Sequence, residues 1–123
     1  MLIQLPKLAV RGLVAVTLTC SSFFAIAQQA YPAKPIRLIV GFAPGGAADY
    51  VARTLSEPLG KALGQPIIVE NKAGAGSSIA AESVSKSAPD GYTILIASPS
   101  SISVNPALNP KLGYSPKDLI PDR

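Results

Sequence analysis

Between Ile36 and Arg53 the chain passes from an apolar, β-branched run, Ile36-Arg-Leu-Ile-Val-Gly-Phe42, through Ala43-Pro-Gly-Gly46 into an amphipathic stretch that begins at Ala47. A strand, a glycine turn and a helix start in that order constrain the fold more than any other feature. The N–H groups of a helix's first turn have no intrahelical acceptor, and the helix dipole adds partial positive charge there. A carboxylate or phosphate can therefore be held by backbone alone. Gly45 and Gly46 carry no Cβ, so an anion can approach them closely.

The pattern then repeats. From Ala47 to Leu63 the apolar residues Val51, Leu55, Leu59, Ala62 and Leu63 recur at helical spacing and are expected to face inward, with Glu57 and Lys61 paired four apart on the outer face. Pro58 lacks an N–H and predicts a kink or split near Ser56 and Glu57, and Gly64 ends the helix. Pro66-Ile-Ile-Val-Glu70 reads as a second strand and Asn71-Lys-Ala-Gly-Ala-Gly76 as a second glycine turn. Ser77 to Ser87 reads as a second helix with Ile79, Ala80 and Val84 inward. Pro89-Asp-Gly91 turns the chain into a third strand, Tyr92 to Ala97.

Strands alternating with helices predict an α/β fold, a parallel βαβαβ unit with right-handed crossovers, and ligands beyond the carboxyl ends of the strands. Three loops fall at that edge: Phe42 to Asp49, Asn71 to Ser77, and Ser98 to Asn105. The proline-punctuated tail from Asn105 to Pro121 excludes a long helix or a central strand.

The first 27 residues read as a secretory signal peptide. Lys7 and Arg11 precede an apolar run from Leu13 to Ile26, and Ala25-Ile-Ala27 is a small-x-small site with cleavage expected after Ala27. An uncleaved anchor would need a longer run. Lipidation at Cys20 would need a small residue where Thr19 stands. The rest, residues 28–123, suffices for one small domain at most.

Removing two of the eleven basic residues against seven acidic ones lowers the formal charge from +4 to +2. Lys and Arg form no stripe and aromatics are sparse, so no nucleic-acid partner is expected. The sequence has no histidine, and its one cysteine, Cys20, leaves with the signal. That excludes a disulfide framework, a zinc site and a cysteine nucleophile, and no metal or cofactor is expected. Export without thiols fits the bacterial periplasm.

Catalysis finds little footing. Ser83-Val-Ser-Lys86 matches the S-x-x-K nucleophile pattern, which would make the chain a secreted serine hydrolase. Its KTG partner is missing, and both residues lie toward a helix end away from the loop edge, as on a solvated face. Neither Gly41-Phe-Ala-Pro-Gly-Gly46 nor Gly74-Ala-Gly-Ser-Ser-Ile79 has the dinucleotide spacing. No catalytic residue is assigned. Each glycine loop taken singly reads equally well as a tight turn, whereas two at one sheet edge favour a ligand site. Asp49 serves either the ligand or the helix dipole, the latter worth about 0.3–1 kcal/mol.

Tyr31-Pro-x-Lys-Pro-Ile-Arg-Leu-Ile-Val, Pro44-Gly-Gly-x-x-Asp49, Val51-Ala-Arg53, Leu63-Gly-Gln-Pro-Ile-Ile-Val-Glu-Asn71, Gly74-Ala-Gly76, Ala88-Pro-Asp-Gly-Tyr-Thr93 and Asn105-Pro106 together resemble the Bug-type substrate-binding proteins of tripartite tricarboxylate transporters. The resemblance spans Tyr31 to Pro121. It implies a two-lobed, type II-like periplasmic binding protein that closes over a small carboxylate and delivers it to membrane permease subunits; a monomer is expected. By position it implies that Phe42, Ala43, Pro44, Gly45, Gly46, Ala47 and Asp49 form the first ligand loop, with Asn71, Gly74, Gly76, Ser77, Ser98 and Ser100 lining the same cleft. Ala48 departs from the threonine that many members carry. Family members also continue into a second lobe, so residues 28–123 are expected to be an incomplete N-terminal lobe. That makes the chain a truncated receptor or a non-functional remnant of one.

Overall fold

The structure, a computed structural model, describes residues 30–120. The expected signal peptide, residues 1–27, lies outside them. Strand β1 (Ile36–Val40) leads through a glycine loop to helix α1 (Ala47–Leu63), followed by β2 (Ile67–Asn71), α2 (Ser78–Ser85), β3 (Thr93–Ile96) and the short α3 (Asn105–Leu108). The strands form one parallel sheet in the order β2-β1-β3, with Leu38 between Val69 and Ile94, and Val40 between Asn71 and Ile96. This is the α/β fold that the alternation of elements predicts.

The chain moves outward from β1 to β2 and then back across β1 to β3. Right-handed crossovers therefore set α1 and α2 on opposite faces. On the α1 face Leu38, Val40 and Ala52 form the core, packed by Ala48, Ile67, Val69, Ile94 and Ile96. Ile39 is out of phase by one residue and points to the other face, where α2 packs on β1 and β3 with Ala80 and Ala81 fully buried. The connection after β1 runs to one side, to β2, and the next crosses back over β1 to β3 on the other, so the topological switch point lies between β1 and β3.

Of the kink or split expected at Pro58 the split is absent, and the expected inward face of α1 is also corrected. Its helical run is unbroken through Pro58. Pro58 and Thr54 are both exposed, so the Thr54 carbonyl that loses its N–H partner meets water instead. The apolar stripe, moreover, does not face the sheet: Val51, Leu55 and Leu59 are 46%, 48% and 39% exposed. The line Ala52, Ser56, Gly60 faces the sheet in its place. A Cβ at Gly60 would lie 3.1 Å from the Gln65 carbonyl, so small residues let the helix settle close, which turns the next line of the helix, about 100° away, toward solvent. Glu57 and Lys61 do pair on the outer face, at 2.6 Å. In α2, Ile79 is likewise exposed and Ala81 takes the inward place expected for it, while Ile79 folds its side chain over Gly74.

Candidate functional site

The loop after β1 is shaped by three glycines with separate tasks. Gly41 is buried and admits the Ser77 side chain, whose Oγ would lie 1.8 Å from a Cβ at position 41. Gly45 has φ +82°, the left-handed region that glycine supplies without steric cost. Gly46 caps α1 with an extended backbone and no side-chain cap. Among the described residues the N–H groups of Gly46, Ala47 and Ala48 meet no acceptor, while Phe42, Ala43, Pro44, Gly45, Gly46 and Ala47 are all exposed.

Asp49, in the first turn of α1, is buried, and its carboxylate is occupied. Oδ2 accepts from the Gly45 N–H (2.9 Å) and Arg53 Nε (3.0 Å), and Oδ1 accepts from Asn71 Nδ2 (2.9 Å). Asn71 Nδ2 also donates to the Phe42 carbonyl (3.1 Å), and Arg53 Nη2 donates to Asn71 Oδ1 (3.3 Å). The Arg53 hydrogen bond, then the Gly45 N–H and then Asn71 hold the Asp49 carboxyl well below the usual carboxylate range. Its position in the first turn also suits the helix dipole.

The loop after β2 carries a run of left-handed residues, Ala75 (φ +47°), Gly76 (φ +58°) and Ser77 (φ +71°), which aims its backbone inward before α2 starts. Ser77 is buried and its hydroxyl has no hydrogen-bond partner in the structure. A buried hydroxyl without a partner costs about 1–3 kcal/mol. Asn105, at the start of α3, pins this loop by donating from Nδ2 to the carbonyls of Ala75 and Gly76 (3.1 Å each) and to Ser78 Oγ (2.7 Å).

After β3 the chain knots around Ser98 and Ser101. The Ser101 N–H donates to the Ser98 carbonyl (3.1 Å), Ser101 Oγ donates to that carbonyl (3.0 Å), and Tyr114 OH ties the Ser101 carbonyl down at 2.6 Å. Ser100 then stands beside Gly76, its Cβ 3.7 Å from where a Cβ on that glycine would be.

Gly41, Ser77 and Asn71 thus join the first two loops, and Gly76, Ser100 and Asn105 the last two. Of the residues expected at the site, Ser98 is engaged by Ser101 and Gly74 (φ +139°) lies under Ile79. Sequence reasoning gave no site role to Arg53 and Asn105, which it quoted only within motifs, to Ser101 within the third loop, or to Tyr114. Only Arg53 left a local signal, its i,i+4 spacing from Asp49. Ser83 and Lys86 do not meet: Lys72 Nζ donates to Ser83 Oγ (2.6 Å), and Lys86 pairs with Glu82. Among the described residues, no three His, Cys, Asp or Glu side chains group closely enough to hold a metal ion.

This arrangement gathers exposed backbone N–H groups and small polar side chains on loops of one parallel α/β sheet. Residues 51–121 match the model of the tripartite tricarboxylate transporter family receptor, and the chain belongs to that family, whose members are receptors and not enzymes. It is 45% identical over 98 residues to BugT of Bordetella pertussis, covering 78% of this chain and 30% of BugT. Two solved structures share the fold. The periplasmic binding protein BugD superposes with a TM-score of 0.66 at 43% identity, covering 70% of this chain and 28% of BugD. MatC from Rhodopseudomonas palustris with bound malate superposes with a TM-score of 0.66 at 42% identity, covering 70% and 29%. The chain spans about a third of the length of the curated relatives it matches.

Proposed function

We propose that the loop cluster binds one carboxylate group of a small organic acid, and that the chain serves as part of a periplasmic receptor delivering that acid to the permease subunits of a tripartite tricarboxylate transporter. Export would rest on residues 1–27 as a cleaved signal. The observation that carries the reading is the uncapped start of α1, where, among the described residues, the N–H groups of Gly46, Ala47 and Ala48 meet no acceptor. A carboxylate supplies acceptors to these N–H groups and is favoured by the helix dipole. Ser100, next to Gly76, would complete the lining. Malate in MatC supplies the substrate class.

The described lobe forms one wall of such a site, and its first loop is open to water. A few charge-assisted hydrogen bonds of about 1.5–3 kcal/mol each, set against several kcal/mol for ordering the ligand, give a Kd of about millimolar for this wall alone. Closure by a second lobe would tighten it.

Gly46→Val tests the reading. The glycine has φ −82°, and a Cβ there meets only the Ala43 carbonyl at an ordinary 3.5 Å, so valine fits the fold while its methyls cover the N–H groups. Malate titration followed by calorimetry should show binding lost, with the melting temperature nearly unchanged. Binding equal to that of the unaltered chain would place the ligand elsewhere.

A further inference from the structure

We infer that Asp49, Arg53 and Asn71 form a closed ring that positions the carboxylate-binding loop without touching the ligand, with Asp49 acting as a built-in anion that claims the Gly45 N–H and leaves only the donors from Gly46 onward for the substrate. The inference rests on the carboxylate reading above and changes the part that two of its residues play.

The ring is closed on every side. Asp49 accepts from Gly45, Arg53 and Asn71, and Arg53 returns to Asn71 Oδ1. Asn71 Nδ2 has two hydrogens, and both are engaged, on Asp49 Oδ1 and the Phe42 carbonyl. Neither the Asp49 nor the Asn71 side chain keeps a donor to offer a ligand. Yet the two together grip the binding loop at both ends, at the Phe42 carbonyl and at the Gly45 N–H. Asn71 is the last residue of β2, so the grip ties the loop to the sheet.

Charge makes the same point. A bare carboxylate in the first turn of α1 would repel a second carboxylate at that terminus, because like charges a few ångströms apart disfavour each other. Arg53 lies on Asp49 at 3.0 Å and neutralises it. The incoming acid therefore meets a helix terminus that is locally neutral and still rich in N–H donors. Arg53 is a positioning residue in this arrangement, since it reaches the ligand only through Asp49.

Amide spectra of the isotope-labelled chain test this with malate as the probe. Malate should move the Gly46, Ala47 and Ala48 amides and leave the Gly45 amide in place. Asp49→Asn should speed hydrogen exchange at Gly45 about tenfold or more, as expected when one charge-assisted bond is lost. It should also weaken malate several-fold, while the Ala52 and Leu38 amides keep their protection and so report an intact fold. Arg53→Met should weaken malate with Asp49 still in place, and Arg53→Lys should restore part of that loss. A Gly45 amide that malate shifts most, or a Gly45 exchange rate unchanged by Asp49→Asn, would overturn the ring. If malate moved no loop amide in the unaltered chain, the carboxylate reading would fall instead, and Gly45 exchange would still decide whether the ring positions the loop.

Discussion

Replacing Gly41 by alanine probes how the first two site loops are joined. A β-carbon there would stand 1.8 Å from Ser77 Oγ, 2.5 Å from Ser77 Cβ and 2.9 Å from Ser77 Cα. Rotation of the hydroxyl relieves only the first overlap, and the others require backbone to move. Gly41 itself is outside the left-handed region, so alanine adds no torsional strain and the cost is the overlap alone. Overfilling a packed site costs about 1–3 kcal/mol. In a domain of this size each kcal/mol lowers Tm by about 4–8 °C, so Gly41→Ala should melt about 5–20 °C below the unaltered chain. Ser77→Gly should act in the opposite sense, because it removes a left-handed non-glycine residue, about 1–2 kcal/mol, and a partnerless buried hydroxyl, about 1–3 kcal/mol, against about 0.5–1 kcal/mol of added chain freedom. The double variant should recover most of the loss. Scanning calorimetry of the four proteins closes the cycle. A Gly41→Ala protein that melts with the unaltered chain, or a double variant no better than Gly41→Ala alone, would refute the packing argument.

Asn105→Ala should lower stability by about 1–3 kcal/mol in chemical denaturation, because the Ala75 and Gly76 carbonyls and Ser78 Oγ lose their donor; a change within error would mean that water replaces the side chain freely. The Asp49 carboxyl titrates below its unfolded value of about 3.9, so its stabilising contribution is complete above that pH and is lost only as pH falls toward the lower folded value. Melting curves should therefore be insensitive to this group from pH 5 to 8, and Asp49→Asn should flatten the decline below about pH 4; an equally steep decline in the variant would assign acid unfolding to other carboxylates. Mass spectrometry of exported protein should give an N-terminus at Gln28, and a start at Met1 or a lipid on Cys20 would defeat the signal-peptide expectation.

The order of strands and helices, the parallel sheet and the meeting of three loops at one edge were legible in the sequence, because each depends on local pattern. Alternating β-branched runs and helical periods name the elements and glycines mark the turns, whereas the sheet order β2-β1-β3 came from the structure, because right-handed crossovers allow more than one order. What the periodicity could not say was which line of α1 meets the sheet. Val51, Leu55 and Leu59 have the hydrophobic spacing, yet Ala52, Ser56 and Gly60 take the contact, since closeness of approach to β2 outweighs side-chain apolarity there. Pro58 kept its place in the helix because its orphaned carbonyl faces water, which is a property of the assembled surface. The roles inside the site were decided at the same level. Asp49 meets Asn71 across 22 positions, Asn105 meets Gly76 across 29, and Gly41 makes room for Ser77. Such partnerships exist only once the sheet has brought its loops together, so a residue's spacing in the chain reveals the kind of site but not which polar atoms remain free to serve it.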